Sequence, residues 1–129
     1  MSMTQDEIFE KVRGILTEAL GVDDDEVTPQ ASLVADLGAE SIDFLDIVFQ
    51  LEKAFNVKIG QGEMFPESAL QDERYVHDGK VTDQGMAELK SRMPFADFSN
   101  FESDRSVEKV PAVVTVDSIV KFMQGKLAA

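Results

Sequence analysis

The sequence predicts an acidic, all-α domain that spans residues 1–129. Apolar residues recur at helical spacing near both ends of the chain, and residues 42–55 are a dense run of helix formers without glycine or proline. A chain of 129 residues is long enough for one hydrophobic core and too short for two independent domains. Its 25 acidic residues outnumber its 12 basic residues, so the net charge is −13 at neutral pH.

The first helix is marked by its capping residues. Thr4 and Glu7 have the spacing of a capping box, and apolar residues follow at helical spacing until Gly21. The periodicity is then lost over residues 22–40, which contain three consecutive aspartates, Pro29 and Gly38. We predict a long loop held in place by its apolar residues, and a loop of this length in a small domain suggests a function.

The second helix is predicted to begin at or just after Ser41 and to continue to Phe55. It has two apolar faces. One face consists of Phe44, Ile47, Val48, Leu51 and Phe55, and the other consists of Ile42, Leu45 and Phe49, edged by Asp43, Asp46 and Glu52. A helix in a small domain buries one broad face against its neighbours, so we expect the second face to stay partly exposed and to contact partners.

The remaining chain contains a mixed segment and a last helix. Residues 60–110 are rich in turn residues, with a short helix expected near residues 82–93. Its inward side chains would be Met86, Leu89 and Met93. From residue 115 helical spacing returns, in Val116, Ile119, Val120, Met123 and Leu127.

The composition also excludes several classes of partner and chemistry. A negative surface repels nucleic acid and anionic membranes. The chain has neither a run of about 18 apolar residues nor the features of a secretory signal, so we expect a soluble, cytoplasmic monomer without stable membrane insertion. Because cysteine is absent, disulfides and thiolate ligands are excluded, and any thiol chemistry needs an added group.

The most informative run surrounds Ser41. Gly38 allows a tight turn, and Ser41 falls at a helix N-terminus, where free N–H groups favour a phosphate. The alternative is that Ser41 is simply the N-cap, a position at which serine is common.

The wider context of this serine resembles a known family. The run Asp36-Leu37-Gly38-Ala39-Glu40-Ser41-Ile42-Asp43 closely resembles the signature Asp-Leu-Gly-x-Asp-Ser-Leu-Asp of the acyl carrier proteins. The helix that follows looks like the second helix of that family, and residues 115–120 look like the start of its last helix.

This resemblance implies a four-helix bundle that is not an enzyme and carries acyl chains as thioesters on 4′-phosphopantetheine attached to Ser41. Gly38 and Asp36 would belong to the same cofactor site, and no metal is expected. The implied partners are a phosphopantetheinyl transferase, acyltransferases, and fatty acid or lipid synthesis enzymes with basic docking surfaces. They would contact Glu40, Ile42, Asp43, Leu45, Asp46, Phe49 and Glu52.

The chain also departs from the family pattern. Glu40 replaces the usual aspartate, and Lys53 stands where acids are common. Residues 60–110 are longer than the usual crossing, so we predict a carrier core at 1–59 and 111–129 with an inserted segment at 60–110. We expect this segment to enlarge the acyl cavity or to add a surface for a specific partner. The run from Ser41 to Phe49 also looks like specialised carriers that deliver very long acyl chains to lipid A.

Other features have competing interpretations. His77 is either a general base or an ordinary loop residue, and the latter is favoured because a base needs an oriented partner. Residues 23–26 are interpreted as a solvated acidic turn, since they lack the spacing of an EF-hand loop. Phe95, Phe98 and Phe101 either line an acyl pocket or pack the segment against the helices, as most buried aromatics do. The alternative function is an unmodified, carrier-like interaction or regulatory domain.

Overall fold

The structure is a computed structural model that describes residues 3–60, 62–99 and 101–128, with the backbone alone at Ser41 and Glu67. Four α-helices are present in this part of the chain: α1 (Gln5–Leu20), α2 (Ser41–Phe55), α3 (Asp83–Arg92) and α4 (Val116–Ala128). Two short strands, β1 (Val76–His77) and β2 (Lys80–Val81), pair antiparallel before α3. Short 3₁₀ helices lie at Asp24–Glu26, Glu67–Gln71 and Val107–Val113. The predicted all-α class is confirmed.

Helix α1 has the caps that its sequence predicts. The Thr4 hydroxyl accepts the Glu7 N–H at 3.1 Å, and the Glu7 carboxylate accepts the Thr4 N–H at 2.8 Å. Gly21, with a φ of +67°, ends the helix in the left-handed conformation. Helix α1 packs against both α2 and α4, and it is therefore the central helix of the bundle.

The core is built from the predicted apolar faces of three helices. Fully buried side chains from α1, α2 and α4 meet there: Ile8, Val12, Leu16, Ile47, Leu51, Ile119 and Met123. Burying one such side chain stabilises the fold by roughly 1.5–3 kcal/mol. Of the predicted inward face of α2, Ile47, Leu51 and Phe55 are buried in this core, whereas Phe44 and Val48 are only half-buried.

Residues 60–110 have more regular structure than the sequence predicts. The expected helix near residues 82–93 is confirmed as α3, and Met86, Leu89 and Met93 are buried. The hairpin before it was not predicted, although Asp78 and Gly79 at its turn both have positive φ. An Asp-Gly pair is a strong signal for this turn, but strands of two residues are too short to show an alternating pattern.

The segment shares the core of the bundle. Phe98 and Phe101 are buried in the same hydrophobic cluster as the helices, and their rings meet edge to face at 6.3 Å. Phe95 is half-buried, with its ring 5.2 Å from that of Phe122 on α4. The packing interpretation of Phe98 and Phe101 is thus confirmed, while the boundaries at residues 59 and 111 stay a prediction. No helix in the described ranges is long and apolar enough to span a bilayer.

Candidate functional site

The loop before α2 is folded by a local network around Asp36. Its carboxylate accepts the Ser32 N–H at 2.7 Å, while its own N–H donates to the Ser32 carbonyl at 3.0 Å. The Ser32 hydroxyl in turn donates to the carbonyl of Ala112 at 2.9 Å, which ties the loop to the residues before α4. Asp36 is exposed, and its hydrogen bonds show a role in shaping the loop, while its predicted part in the cofactor site stays a prediction.

The loop then turns at Gly38, which has a φ of +74°. A β-carbon at this position would meet no atom within 4 Å, so glycine is favoured for its backbone conformation and not for lack of space. Leu37 and Ala39 are buried on either side, and the Ala39 N–H donates to the Leu33 carbonyl at 2.8 Å. These anchors hold the start of α2 at the surface.

The first turn of α2 is closed by Asp43. Its carboxylate accepts the Glu40 N–H at 2.8 Å, and its N–H donates to the Glu40 carbonyl at 2.9 Å. Glu40 occupies the N-cap position, so the alternative that Ser41 is the N-cap is wrong. Ser41 is the first helical residue, and its side chain lies outside the described atoms.

The second apolar face of α2 is exposed, as the sequence predicts. The exposed fractions are 72% for Ile42, 62% for Leu45 and 58% for Phe49. These are the large hydrophobic residues that the described surface leaves open to solvent, while Leu51 on the opposite face is fully buried. An apolar patch of this kind on an acidic protein indicates a binding surface.

The predicted acidic contacts are of two kinds. Glu40 and Asp46 are exposed, and the Asp46 carboxylate accepts only a local hydrogen bond among described atoms, from the Gln50 amide at 2.9 Å. Asp43 and Glu52 are half-buried and hold the backbone, since the Glu52 carboxylate accepts the Ile59 N–H at 2.9 Å. Glu40 and Asp46 are therefore the acids most available to a partner.

A groove of about 730 Å³ runs beside this face, which we call the α2 groove. One wall is formed by Ile42, Leu45, Val48 and Phe49, and the other by Ile59, Gly62, Met64, Phe65 and Ser68. The rings of Phe44 and Phe65 stack across it at 6.1 Å. Of the apolar residues that the 60–110 segment adds, half-buried Phe65 and buried Met64 line this groove. Other apolar residues of the segment are buried in the core away from it: Met86, Leu89, Met93, Phe98 and Phe101.

Other candidate residues lie away from the groove. His77 belongs to β1, so it lies on a strand and not in a loop as predicted. Its side chain is exposed, and its Nε2 lies 3.4 Å from the carboxylate of its neighbour Asp78. Residues 23–26 form an exposed 3₁₀ turn, as expected for a solvated acidic segment. Across the described chain, no three acidic or histidine side chains converge as metal ligands.

Comparison with known proteins agrees with this geometry. Residues 10–69, which contain the loop and α2, match the family described as Phosphopantetheine attachment site. The chain is 42% identical to an acyl carrier protein of Thermotoga maritima over 69 residues, which cover 54% of this chain and 85% of the relative. It is 49% identical to an acyl carrier protein of Guillardia theta over 57 residues, or 44% and 70% of the two chains. It is also 39% identical over 83 residues to the acyl carrier protein AcpXL of Brucella melitensis, and the matched residues cover 64% of this chain and 81% of that relative.

The chain therefore belongs to the acyl carrier protein family. Members of this family are carriers and not enzymes, and membership implies a covalently attached 4′-phosphopantetheine and an exchange of acyl groups with biosynthetic enzymes. The exposed start of α2 fits such an arm, because Gly38, Glu40 and Ile42 are all open to solvent around the helix N-terminus. A phosphodiester is favoured there by the free N–H groups and the positive end of the helix dipole.

Proposed function

We propose that Ser41 carries the 4′-phosphopantetheine arm and that this chain supplies acyl thioesters to fatty acid or specialised lipid synthesis. The observation that carries this proposal is the position of Ser41 as the first residue of α2, between the exposed residues Glu40 and Ile42. Asp36 and Gly38 contribute by shaping the loop that presents the serine. The resemblance of the Ser41 region to carriers that deliver very long acyl chains to lipid A makes that pathway one candidate.

Partner enzymes would dock on the exposed face of α2. Glu40 and Asp46 attract a basic surface and speed the encounter, while Ile42, Leu45 and Phe49 supply the apolar contact. A phosphopantetheinyl transferase and the acyltransferases of the pathway would use this same face in turn. Asp43 and Glu52 support it by holding the two ends of α2 in place.

The same face gives the acyl chain a place to lie. The α2 groove includes Ile42, the residue after Ser41, and is also lined by Leu45, Phe49 and Phe65. An acyl chain in this groove would remove apolar surface from water, and each buried methylene would contribute about 0.8 kcal/mol. The thioester carried by the arm would then be drawn toward the protein surface between visits to partners.

Intact-mass spectrometry tests the attachment site. After treatment with coenzyme A and a phosphopantetheinyl transferase, the unaltered chain should gain the mass of one arm, and Ser41→Ala should gain none. Ser68→Ala is the matched control, because Ser68 is an exposed serine that also lines the groove. If Ser41→Ala still gains the arm, the site assignment is wrong. If the unaltered chain gains none, the alternative of an unmodified interaction domain is favoured.

A further inference from the structure

A second cleft, of about 690 Å³, lies on the far side of the residues that wall the α2 groove. We call it the α4 cleft. One side is formed by the end of α3 with Pro94 and Phe95, and the other by Phe122, Gly125 and neighbouring residues of α4. Phe95 and Phe122 meet edge to face at 5.2 Å and make its apolar surface. The family signature around Ser41 says nothing about this cleft, because it lies between α4 and the 60–110 segment.

The groove and the cleft meet at Gly62, which lines both. This residue has no side chain, and its φ of +83° keeps the backbone in a conformation that other residues rarely adopt. Gly62 itself therefore places no side chain between the groove and the cleft.

The charges around the α4 cleft disfavour an anionic ligand. Three basic residues line it, but each already has an acidic partner: Arg92 pairs with Glu88 at 2.7 Å, Lys121 with Asp117 at 3.0 Å, and Lys126 with Glu63 at 3.0 Å. An incoming anion would have to compete with all three carboxylates. With the charged ends of these three residues paired, the cleft favours an uncharged ligand, and the rings of Phe95 and Phe122 supply its apolar contact.

We propose that the α4 cleft receives the distal end of long acyl chains, after the proximal part has filled the α2 groove and crossed Gly62. This inference rests on the proposed attachment of acyl chains at Ser41. On this proposal, the segment at residues 60–110 distinguishes acyl chains by length. Short chains end inside the α2 groove, and long chains make additional contacts with Phe95 and Phe122.

Substitution at Gly125 tests the proposal. Gly125 lines the cleft, and a β-carbon there meets no atom within 4 Å, so Gly125→Phe adds a ring at the cleft without a clash at its first side-chain atom. Gly14→Phe is the control, because Gly14 is also an exposed helical glycine with no atom within 4 Å, on α1. Each protein would be loaded with octanoyl, palmitoyl or behenoyl chains from the matching acyl-coenzyme A, and the thermal unfolding of each loaded form would be compared with that of its unloaded form.

In the unaltered chain and in Gly14→Phe, the Tm gain on loading should rise from octanoyl through palmitoyl to behenoyl. In Gly125→Phe, the octanoyl gain should persist and the further rise with chain length should be lost. Equal gains in all three proteins at every chain length would overturn the proposal. If no chain of any length raises the Tm of the unaltered protein, the acyl groove itself is contradicted, and with it that part of the proposed function.

A second measurement does not depend on the variant folding. In the unaltered protein, the amide resonances of Phe122 and Gly125 should shift on loading with behenoyl and stay in place with octanoyl, while the amide of Leu45 should respond to both. Unchanged positions for Phe122 and Gly125 with the behenoyl chain would show that the distal end does not enter the cleft.

Discussion

The Nζ of Lys126 lies 3.0 Å from both carboxylate oxygens of Glu63, which joins the end of α4 to the residues that follow α2. The Glu63 carboxylate also accepts the N–H of Gly60, so one side chain links Gly60 to the end of α4. Gly60 lines the α2 groove, Glu63 lines the α4 cleft, and Gly62 between them lines both, so we call these residues the wall between the two cavities. The Glu63–Lys126 pair therefore determines how firmly that wall is held.

The titration of Glu63 should report this anchoring. The Gly60 hydrogen bond, and after it Lys126, hold the pKa of Glu63 below the ordinary glutamate value. The resulting stabilisation is complete above that ordinary value and is lost as the pH falls through the lowered pKa. We predict that Lys126→Met raises the midpoint of the Glu63 carboxyl resonance without restoring the ordinary value, because the Gly60 bond remains.

Lys121→Met is the control for this titration, since Lys121 pairs at 3.0 Å with Asp117 on its own helix. It should leave the Glu63 midpoint unchanged. An equal rise in both variants would point to the general loss of positive charge, and no rise in Lys126→Met would show that the pair does not form in solution.

Charge reversal on α2 should slow partner association. Asp46→Lys changes an exposed acid whose described hydrogen bond is local, whereas Asp43→Lys also removes the acceptor for the Glu40 N–H and should destabilise the start of the helix. We predict that Asp46→Lys lowers the association rate with a phosphopantetheinyl transferase severalfold at low ionic strength, and that the difference narrows as salt is added.

Glu18→Lys gives the same change in net charge on an exposed position of α1. Stopped-flow association at several salt concentrations should show little effect of this control. If it slows association as much as Asp46→Lys, steering depends on net charge and the α2 face has no special role.

Gly85 on α3 lies against the backbone of Tyr75, the residue before β1. A β-carbon at this position would lie 2.1 Å from the Tyr75 carbonyl oxygen, and that oxygen also accepts the Thr82 N–H at 2.8 Å. We predict that Gly85→Ala destabilises the protein by about 1–3 kcal/mol, as overpacking does. Gly14→Ala, where nothing lies within 4 Å, should instead stabilise it by about 0.5–1 kcal/mol. Urea unfolding of both variants checks the sign, and a neutral Gly85→Ala would show that the hairpin is loosely packed on α3.

The bundle could be predicted from the sequence because its signals are local. The capping box at Thr4, the unbroken run in α2 and the spacing in α4 each lie within one element. The exposure of Ile42, Leu45 and Phe49 followed from the same periodicity.

The cavities could not be predicted in this way. Their walls come from residues distant in sequence, such as Phe44 with Phe65 or Glu63 with Lys126, and no local pattern records that pairing. The backbone roles of Asp43 and Glu52 were missed for a related reason. From the sequence alone, a carboxylate on an acidic helix face is predicted to contact a partner, because its hydrogen bonds to the backbone are visible only in the structure.

Whether an acyl chain lies in the α2 groove is better tested by a point substitution than by removing the whole 60–110 segment. Deleting residues 62–105 would remove Glu63 and buried side chains such as Leu89 and Phe98, so it would report mainly on the core.

Phe65→Ala tests the groove more directly, because Phe65 is half-buried, lines the groove and stacks on Phe44. We predict that it lowers the stability gained on loading a palmitoyl chain by about 1–2 kcal/mol, the equivalent of roughly two methylenes. Phe9→Ala removes a half-buried ring from α1, where it packs with Arg13 outside the groove, and should leave that gain intact. Each gain is the difference between loaded and unloaded forms of the same variant, so the cost of the substitution itself cancels. Equal losses in the two variants would show that the chain does not lie against Phe65.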